Sequence, residues 1–570
     1  MKLLNKLRPS CFVLFILAVS FIPVSLRADV ALPNNVNGFA TVEGFSDYFE
    51  SGGGHSLARH NNNLYAVFSD YPAANTNQLI FAKSNDNGVN WTSWPIDKTS
   101  GVSTYISGAS IAVSSNGSIY ISYLIGTSNV NEHKLKVLKT TNEGQSWITA
   151  NVYNVAEEGL YSDLVISEQG VIVVALSRTN WAGNGITSIY VYTNTESNFT
   201  STFVEEVGGF NYDTNRNGDT LYLSKDKQGN VFLAADYLHN SNYNKTVRVF
   251  KRATNGSWSL FAPSSGAYTG QHPAIVNDSL GNLYLAYSVT PNGSGSMDLM
   301  YRKYNGSGTE IASNTLLSAP KIYTPQIGLA ANTDAPNDVI PVIQFVSGNS
   351  GGSAYNIMQI SQQSDSIWSV PTASITSGNQ AVFLHMLPEI IDDKPDMLWY
   401  NNLNNKVYFN RAPDKISPWI PSAPVVRWAD QGLNSGSTQK VSASMTALPA
   451  RSTQVAYDWD GFSIVDTAYT TAIVDTKTNV HDRQQVRARI KAKDAAGNES
   501  LDSPYSAYVS LPDRTSPSGS VVINSDGQYT SKNAVSLALA YADSTSGTAG
   551  QSGVNGVSIN GSAWLTISGA

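Results

Sequence analysis

The feature that most constrains this chain is a unit that returns at intervals of 52 to 59 residues: a short strand, a polar turn, then a strongly apolar strand. Clear copies read SIAVSSNGSIYISYL, TLYLSKDKQGNVFLAADY and PAIVNDSLGNLYLAYS. Fainter copies read SLARHNNNLYAVFSD and DLVISEQGVIVVAL, and two more lie in residues 327–345 and 386–400. One equivalent residue from each copy (Tyr65, Tyr120, Val173, Phe232, Tyr284, Val342 and Met397) gives successive spacings of 55, 53, 59, 52, 58 and 55. A third strand follows every copy, as in QLIFAKS, KLKVLKT and TVRVFKR, and a turn and usually an aromatic close the unit. A four-stranded sheet with two apolar faces must bury both against neighbours. The expected fold is therefore all-β, with a seven-bladed β-propeller over residues 37–419. Six blades are the alternative, and a solenoid is the competing architecture. The segment GFATVEG, starting at Gly38, is left over to complete the last blade and close the ring.

The N-terminus carries Lys2, Lys6 and Arg8, then an apolar run from Cys11 to Leu26, then Arg27-Ala28-Asp29. This is the layout of a signal peptide, expected to be residues 1–28. The apolar run is interrupted by Ser20 and Pro23 and is shorter than the roughly 20 residues a spanning helix needs. No transmembrane segment is expected in the mature chain, and the expected location is secreted, extracellular or in the cell envelope. Cys11 is the only cysteine, so the mature chain has no disulfide or thiol chemistry. The net charge of -7, the 14% of charged residues and the lack of a basic run argue against a nucleic-acid partner. The seven histidines are scattered, with neither His-x-x-x-His nor an Asp-x-Asp-x-Asp-Gly loop, so no metal and no cofactor are expected.

Two turns after third strands share a pattern: SNDNGVNW at residues 84–91 and TTNEGQSW at residues 140–147. Both fit Ser/Thr-x-Asp/Asn-x-Gly-x-x-Trp, with Ser84, Asp86, Gly88 and Trp91 in one and Thr140, Asn142, Gly144 and Trp147 in the other. Asp86 or Asn142 can accept turn N–H groups, Gly88 or Gly144 can take positive φ, and the tryptophan can pack between sheets. Degenerate versions end at Phe199, Trp258, Trp368 and Trp419, and the fifth unit, ending YNGSGTE, lacks the aromatic. On these turns the chain resembles the sialidase-like Asp-box (BNR repeat) propeller superfamily. The turns themselves read as structural staples, on the face opposite the usual binding face.

The resemblance implies, for a sialidase, three arginines gripping a carboxylate, a Tyr/Glu nucleophilic pair and an Asp acid, the first arginine standing in Arg-Ile-Pro. No Arg-Ile-Pro occurs here. Of the propeller arginines, only Arg59, Arg178 and Arg216 fall where they could converge, since Arg248, Arg252, Arg302 and Arg411 belong to third strands. General glycoside hydrolysis needs two flanking carboxyl groups. The loops offer Asp70, Glu157, Glu158, Asp163, Asp213 and Asp236 without showing which face each other.

The second-to-third strand loops, among them SDYPAANTNQ, SRTNWAGNG and DYLHNSNYNK, are rich in Asn, Ser and Tyr. Aromatic faces beside amides and hydroxyls suit sugar rings, so Tyr71, Trp181 and Tyr237, with Arg59, Asp70 and Asp236, are the candidate ligand contacts. His55, His239 and His272 lie near the same rim and read as ordinary polar residues. After the linker SPWIPSAPVV, the alternation in KVSASMTAL, TQVAYDWDG and VRARIKAKDAAGNES predicts one complete β-sandwich over residues 422–511. Its last segment resembles the closing strands of fibronectin type III or Ig-like domains. Residues 519–570 look like a partial bacterial Ig-like domain, too short for a whole sandwich. The expected function is a secreted or cell-surface binding or adhesion protein whose propeller recognises an extracellular glycan or protein. The alternative is a sialidase-like glycoside hydrolase or polysaccharide lyase.

Overall fold

The structure is a computed structural model. It describes residues 30–32 and most of residues 55–512, leaving out 74–75, 101–103, 128–132, 156–157, 181–185, 209–219, 240–243, 264–267, 291–295, 320, 332–338, 349–354, 365, 376–380, 402–405, 429–437, 450, 462–465, 482–483. Beyond these it describes residues 518–523, 537–542, 556–557 and 565–566. The expected leader at residues 1–28, Gly38 to Gly44, Glu157, Trp181, Asp213 and Arg216 lie outside the described residues.

The described chain is all-β apart from one 3-10 turn at Glu196–Asn198. Antiparallel sheets built mainly of four strands, the construction of propeller blades, follow one another from residue 57 to residue 411. Each meanders from an inner strand outward. The inner strands are Leu57–His60, Thr104–Val113, Glu158–Ile166, Leu221–Lys225, Gln271–Asn277, Lys321–Ala331 and Ala381–Met386. The sixth sheet adds extra edge strands, including Glu389–Ile390, which pairs parallel with its inner strand.

Both faces of each sheet are largely apolar because the second strand of each unit is predominantly apolar. Val67, Leu79 and Phe81 of the first sheet pack against Ile111, Ile121 and Tyr123 of the second. Val137 and Tyr120 of the second meet Leu164 and Val174 of the third, and Val173 and Val191 of the third meet Leu223 and Leu233 of the fourth. One cluster runs through the fourth, fifth and sixth sheets. The seventh closes on the first, with Leu398, Tyr400, Val407 and Phe409 packed among Leu57, Leu64, Phe68 and Ile80.

The outer strand of the seventh sheet is Val30–Ala31, with Val30 opposite Phe409 and Ala31 opposite Tyr408. Leu32 is buried in the same seam and its N–H donates to Val407 O at 3.1 Å. Among the described residues this outer position is taken by Val30–Ala31, directly after Asp29, while the segment starting at Gly38 that was expected there lies outside the described residues.

Beyond the ring, strands Val425–Trp428, Thr438–Ser444 and Val474–His481 form one sheet. Gln454–Asp460, Thr467–Thr470, Gln485–Lys493 and Val509–Ser510 form another. Strict alternation in the two long strands sends Val455, Tyr457, Val486, Ala488 and Ile490 inward to meet Val441, Ala443 and Val480 from the facing sheet. Further on, Ser518–Ile523 pairs with Leu537–Ala542, and Gly556–Val557 with Leu565–Thr566.

Candidate functional site

Antiparallel meandering gives the ring two unlike ends. At one end lie the starts of the inner strands and the loops joining second to third strands; at the other lie the tight turns after inner strands and the Asp-box turns. Several inner strands are bulged near the first end, with register shifts at Ser107/Ser110, Gly159/Tyr161, Gln271/Ala274, Tyr323/Gln326 and Val382/Leu384. Bulges re-aim side chains and concentrate beside functional sites. Gly108 (φ 57), His272 (φ 53) and Thr324 (φ 45) occupy the left-handed region there. For β-branched Thr324 that backbone is strained, and such strain is held only where packing over-determines it.

At this end a single carboxylate ties four sheets together. Asp163, fully buried on the third inner strand, accepts from Ser110 Oγ of the second at 2.7 Å, from Leu223 N of the fourth at 2.7 Å and from Leu164 N at 2.8 Å. From just ahead of the first sheet's inner strand, His55 approaches with both its backbone N–H (3.2 Å) and its ring Nδ1 (3.1 Å). Burial raises the Asp163 pKa, but the His55 imidazole and these donors outweigh it and hold the carboxyl below the ordinary carboxylate range. An ionised Asp163 makes His55 Nδ1 the donor and leaves Nε2, which has no partner among the described residues. The His55 side chain keeps 15% of its surface exposed.

The Tyr222 ring of the fourth sheet lies 4.6 Å from the imidazole, and its hydroxyl reaches Gln326 Oε1 of the sixth at 3.5 Å. Burial, then the Asp163 charge, push the Tyr222 phenol upward, so it stays protonated. Ser162 Oγ donates to Gly108 O at 2.7 Å and meets Ser122 Oγ at 3.0 Å. A Cβ on Gly108 would stand 3.0 Å from Ser162 N, so a larger residue there would press the two inner strands apart.

The candidate ligand contacts divide. Asp236 accepts from Thr220 N at 2.7 Å and from His272 N at 3.0 Å, a second carboxylate joining neighbouring inner strands. Asp70, buried in the first sheet, accepts from Gln78 Nε2 at 3.0 Å. Both stand at the loop end, but inside the sheets rather than on a rim. Arg59 requires correction: it stands at the box-turn end, paired with Asp396 of the seventh sheet and donating to Asn87 Oδ1 at 2.8 Å. It braces the ring closure. Tyr71 and Tyr237 fall on second strands near the loop end, Tyr237 opposite Thr246. Arg178 stands opposite Gly159 at the third-sheet bulge. Arg252 pairs with Glu206, Arg302 with Glu310 and Arg411 with Asp392. Among the described residues, no group of three or more His, Cys, Asp and Glu could hold a metal ion, and no helix is long and apolar enough to cross a membrane.

The box turns stand apart from this end. Ser84 Oγ accepts from Gly88 N at 2.8 Å and Asp86 Oδ1 from Asn90 N at 2.9 Å, while Thr140 Oγ1 and Asn142 Oδ1 accept from Gly144 N and Ser146 N at 3.1 and 3.0 Å. Asp86 is pulled down to about 2, chiefly by its bond from the Asn90 backbone. Trp91 packs on Phe409 of the seventh sheet at 5.1 Å and Trp147 on Phe81 of the first at 5.3 Å.

No family model matches the chain, and no curated protein matches it in sequence. Solved structures that resemble it include a Trypanosoma rangeli sialidase in complex with sialic acid, at 10% identity and a TM-score of 0.41, covering 86% of this chain and 93% of that one. The polysaccharide lyase Uly1 aligns at 8% identity and a TM-score of 0.41, over 67% of this chain and 98% of that one. A Penicillium chrysogenum alpha-L-arabinanase complexed with arabinobiose aligns at 13% identity and a TM-score of 0.32, over 57% and 95%. At these scores none of them assigns a family or a reaction, and the architecture above stands on its own strand pairings.

Proposed function

We propose that the sheets from residue 57 to residue 411 are the blades of one closed seven-bladed β-propeller, and that the loop end of its axis recognises a carbohydrate polymer outside the cell. The observation that carries this is the bulged, polar end of the inner strands, where the partly exposed His55 side chain stands against Asp163 and Tyr222. Saccharides are held by aromatic faces with a few fixed polar groups beside them. The loops in sequence around this end supply Asn, Ser and Tyr in quantity. The leader-like residues 1–28 support export. The sandwich at residues 422–511, read as fibronectin type III or Ig-like, and the partial Ig-like module at residues 519–570 serve as spacers.

A panel of polysaccharides in affinity electrophoresis with the full chain tests this reading. At least one glycan should retard the protein, and Trp181→Ala with Tyr237→Ala should weaken the retardation at least about tenfold, the loss expected for a pair of stacking contacts. Retardation by none of the panel would reject it. A cleaving rather than purely adhesive propeller is favoured by one observation, the oriented imidazole at His55.

A further inference from the structure

We infer that the joint between the ring and the sandwich is a proton-operated latch, closed when the Asp414 carboxyl is protonated and free to pivot when it is charged. The inference concerns the joint alone and does not depend on what the ring binds. Two carboxyl groups from different parts of the chain meet there on one nitrogen. Asn498 Nδ2, in the sandwich turn after Gln485–Lys493, donates to Asp494 Oδ2 at 2.8 Å and reaches Asp414 O at 3.2 Å and Asp414 Oδ1 at 3.3 Å. Asp414 belongs to the segment that leaves the last strand of the seventh sheet, Lys406–Arg411, and its Oδ1 also accepts from Ile416 N at 3.0 Å. An amide nitrogen carries two protons, so Asn498 cannot fully satisfy both carboxylates. Charged together at a half-buried joint, the two repel each other.

The other described charges around the pair leave this conflict in place. Arg451, in the turn ahead of Gln454–Asp460, donates from Nε to Asp393 Oδ2 at 3.0 Å and from Nη1 to Ala331 O at 3.2 Å. Burial lowers it to about 10 against the opposing Asp494 charge, so it stays charged through the acidic and neutral range. Burial, then Asp494, push Asp414 up to about 6 against its bond from Ile416 N and the charges of Lys394 and Lys415. The value in the joined state thus lies above the roughly 3.9 of a solvated carboxyl, so the hold is complete below about 3.9 and is lost as pH rises through about 6. Packing decides what moves. The tail itself stays on the ring, with Ile416 buried among Ala330, Ile340 and Ile390 and with Ile420 N donating to Gln363 O at 3.0 Å. Residues 421–424, ahead of strand Val425–Trp428, are then the pivot. Ala331 ends the sixth inner strand and Asp393 lies in the turn ahead of Asp396–Asn401, so the sandwich grips the ring at its turn end. A closed latch therefore fixes which way the loop end faces.

The test measures distances between spin labels on the full chain, with Val370→Cys in the ring and Val474→Cys in the sandwich, both exposed positions, and Cys11→Ser removing the only native cysteine. The expected result is one narrow distance at about pH 4 that broadens as pH rises. The ratio of open to joined molecules should increase at least about tenfold by about pH 7 and level off above about 6. Asp414→Asn, confirmed folded by its thermal melt, should keep the narrow distance at both pH values, because an amide does not ionise. A second pair within the ring, exposed Val204→Cys with Val370→Cys, should hold one distance throughout. A wild-type distribution that ignores pH or narrows as pH rises would overturn the latch. So would pH-dependent broadening in Asp414→Asn equal to that of the wild type, or movement of the pair within the ring. The wild-type titration decides the case alone should Asp414→Asn fail to fold.

Discussion

At Asp163 burial and charge pull in opposite directions, and the hydrogen bonds decide. Removing the carboxylate leaves Ser110, Leu164 N, Leu223 N and His55 facing an apolar void, so Asp163→Ala should destabilise the ring by about 3–5 kcal/mol in urea titrations, the range for breaking one side of a buried pair. The pH dependence follows from the direction of its shift. A carboxyl that ionises more readily in the folded than in the unfolded chain contributes stability above the unfolded value of about 3.9, and that contribution is lost as pH falls through the lower folded value. Thermal melts at successively lower pH should therefore show an acid limb that is weaker in Asp163→Asn. This residue was half legible. Ser110, Asp163 and Tyr222 each stand four positions before the turn residues Ser114, Ser167 and Asp226, so aligning consecutive repeats on their turns puts all three in one column. What the column does not show is which residues meet across the axis, since His55 is separated from Asp163 by 108 positions. Arg59 was misplaced for a similar reason: its chemistry was evident, but its partner Asp396 lies 337 positions away, in the seam that closes the ring.

Between elements, the turns and the seams set the tolerance to change. Gly144 has φ +87, and a Cβ there would lie 2.7 Å from Phe81 Cε1 of the preceding sheet, whereas Gly497 has φ +90 with nothing within 4 Å. Both alanine variants incur the left-handed backbone penalty of about 1–2 kcal/mol, but only Gly144→Ala adds a clash inside a packed seam. Gly144→Ala should lower stability by about 2 kcal/mol more than Gly497→Ala when the two are compared by denaturant melts. The sixth sheet carries another seam of unusual kind. Gln344 Nε2 donates to Gln359 Oε1 at 3.1 Å and Ser374 Oγ to the same oxygen at 3.4 Å, while Gln344 Oε1 and Gln359 Nε2, equally buried, have no partner among the described residues. Replacing one glutamine strands the other, but replacing both with leucine removes the pair's polar atoms together and leaves only the long contact from Ser374 Oγ to be lost. The double variant should therefore melt no lower than the wild type, and Gln359→Leu alone should cost about 1–3 kcal/mol.

Across the whole molecule, the sandwich is bolted to the ring through side chains rather than set on a free linker. Arg451 pairs with Asp393, in the turn ahead of strand Asp396–Asn401, and donates to Ala331 O of the sixth sheet at 3.2 Å. Asn498 Nδ2 reaches Asp414 O at 3.2 Å. Asp414 is pushed up to about 6, first by burial and then by Asp494, with Lys394 and Lys415 opposing. Its folded value lies above the unfolded one, so its contribution is complete below about 3.9 and is lost as pH rises through about 6. Asp414→Asn should flatten the change in melting temperature between acidic and neutral pH and stabilise the joined unit at neutral pH by about 1 kcal/mol, discounted for partial exposure. The repeating units and the sandwich alternation were legible because apolar faces leave a period in the sequence. The closing strand was not, since Val30–Ala31 is too short to show alternation. That pairing has a kinetic consequence. Leu32 and Leu64 cannot meet Leu398 and Phe409 until more than three hundred intervening residues have been made and threaded outward. Loop closure over so long a separation is slow, and unpaired sheet edges wait exposed meanwhile. An emerging chain therefore holds an open stack with two sticky edges, and Trp91, seated against Phe409, should report the slowest fluorescence phase of refolding.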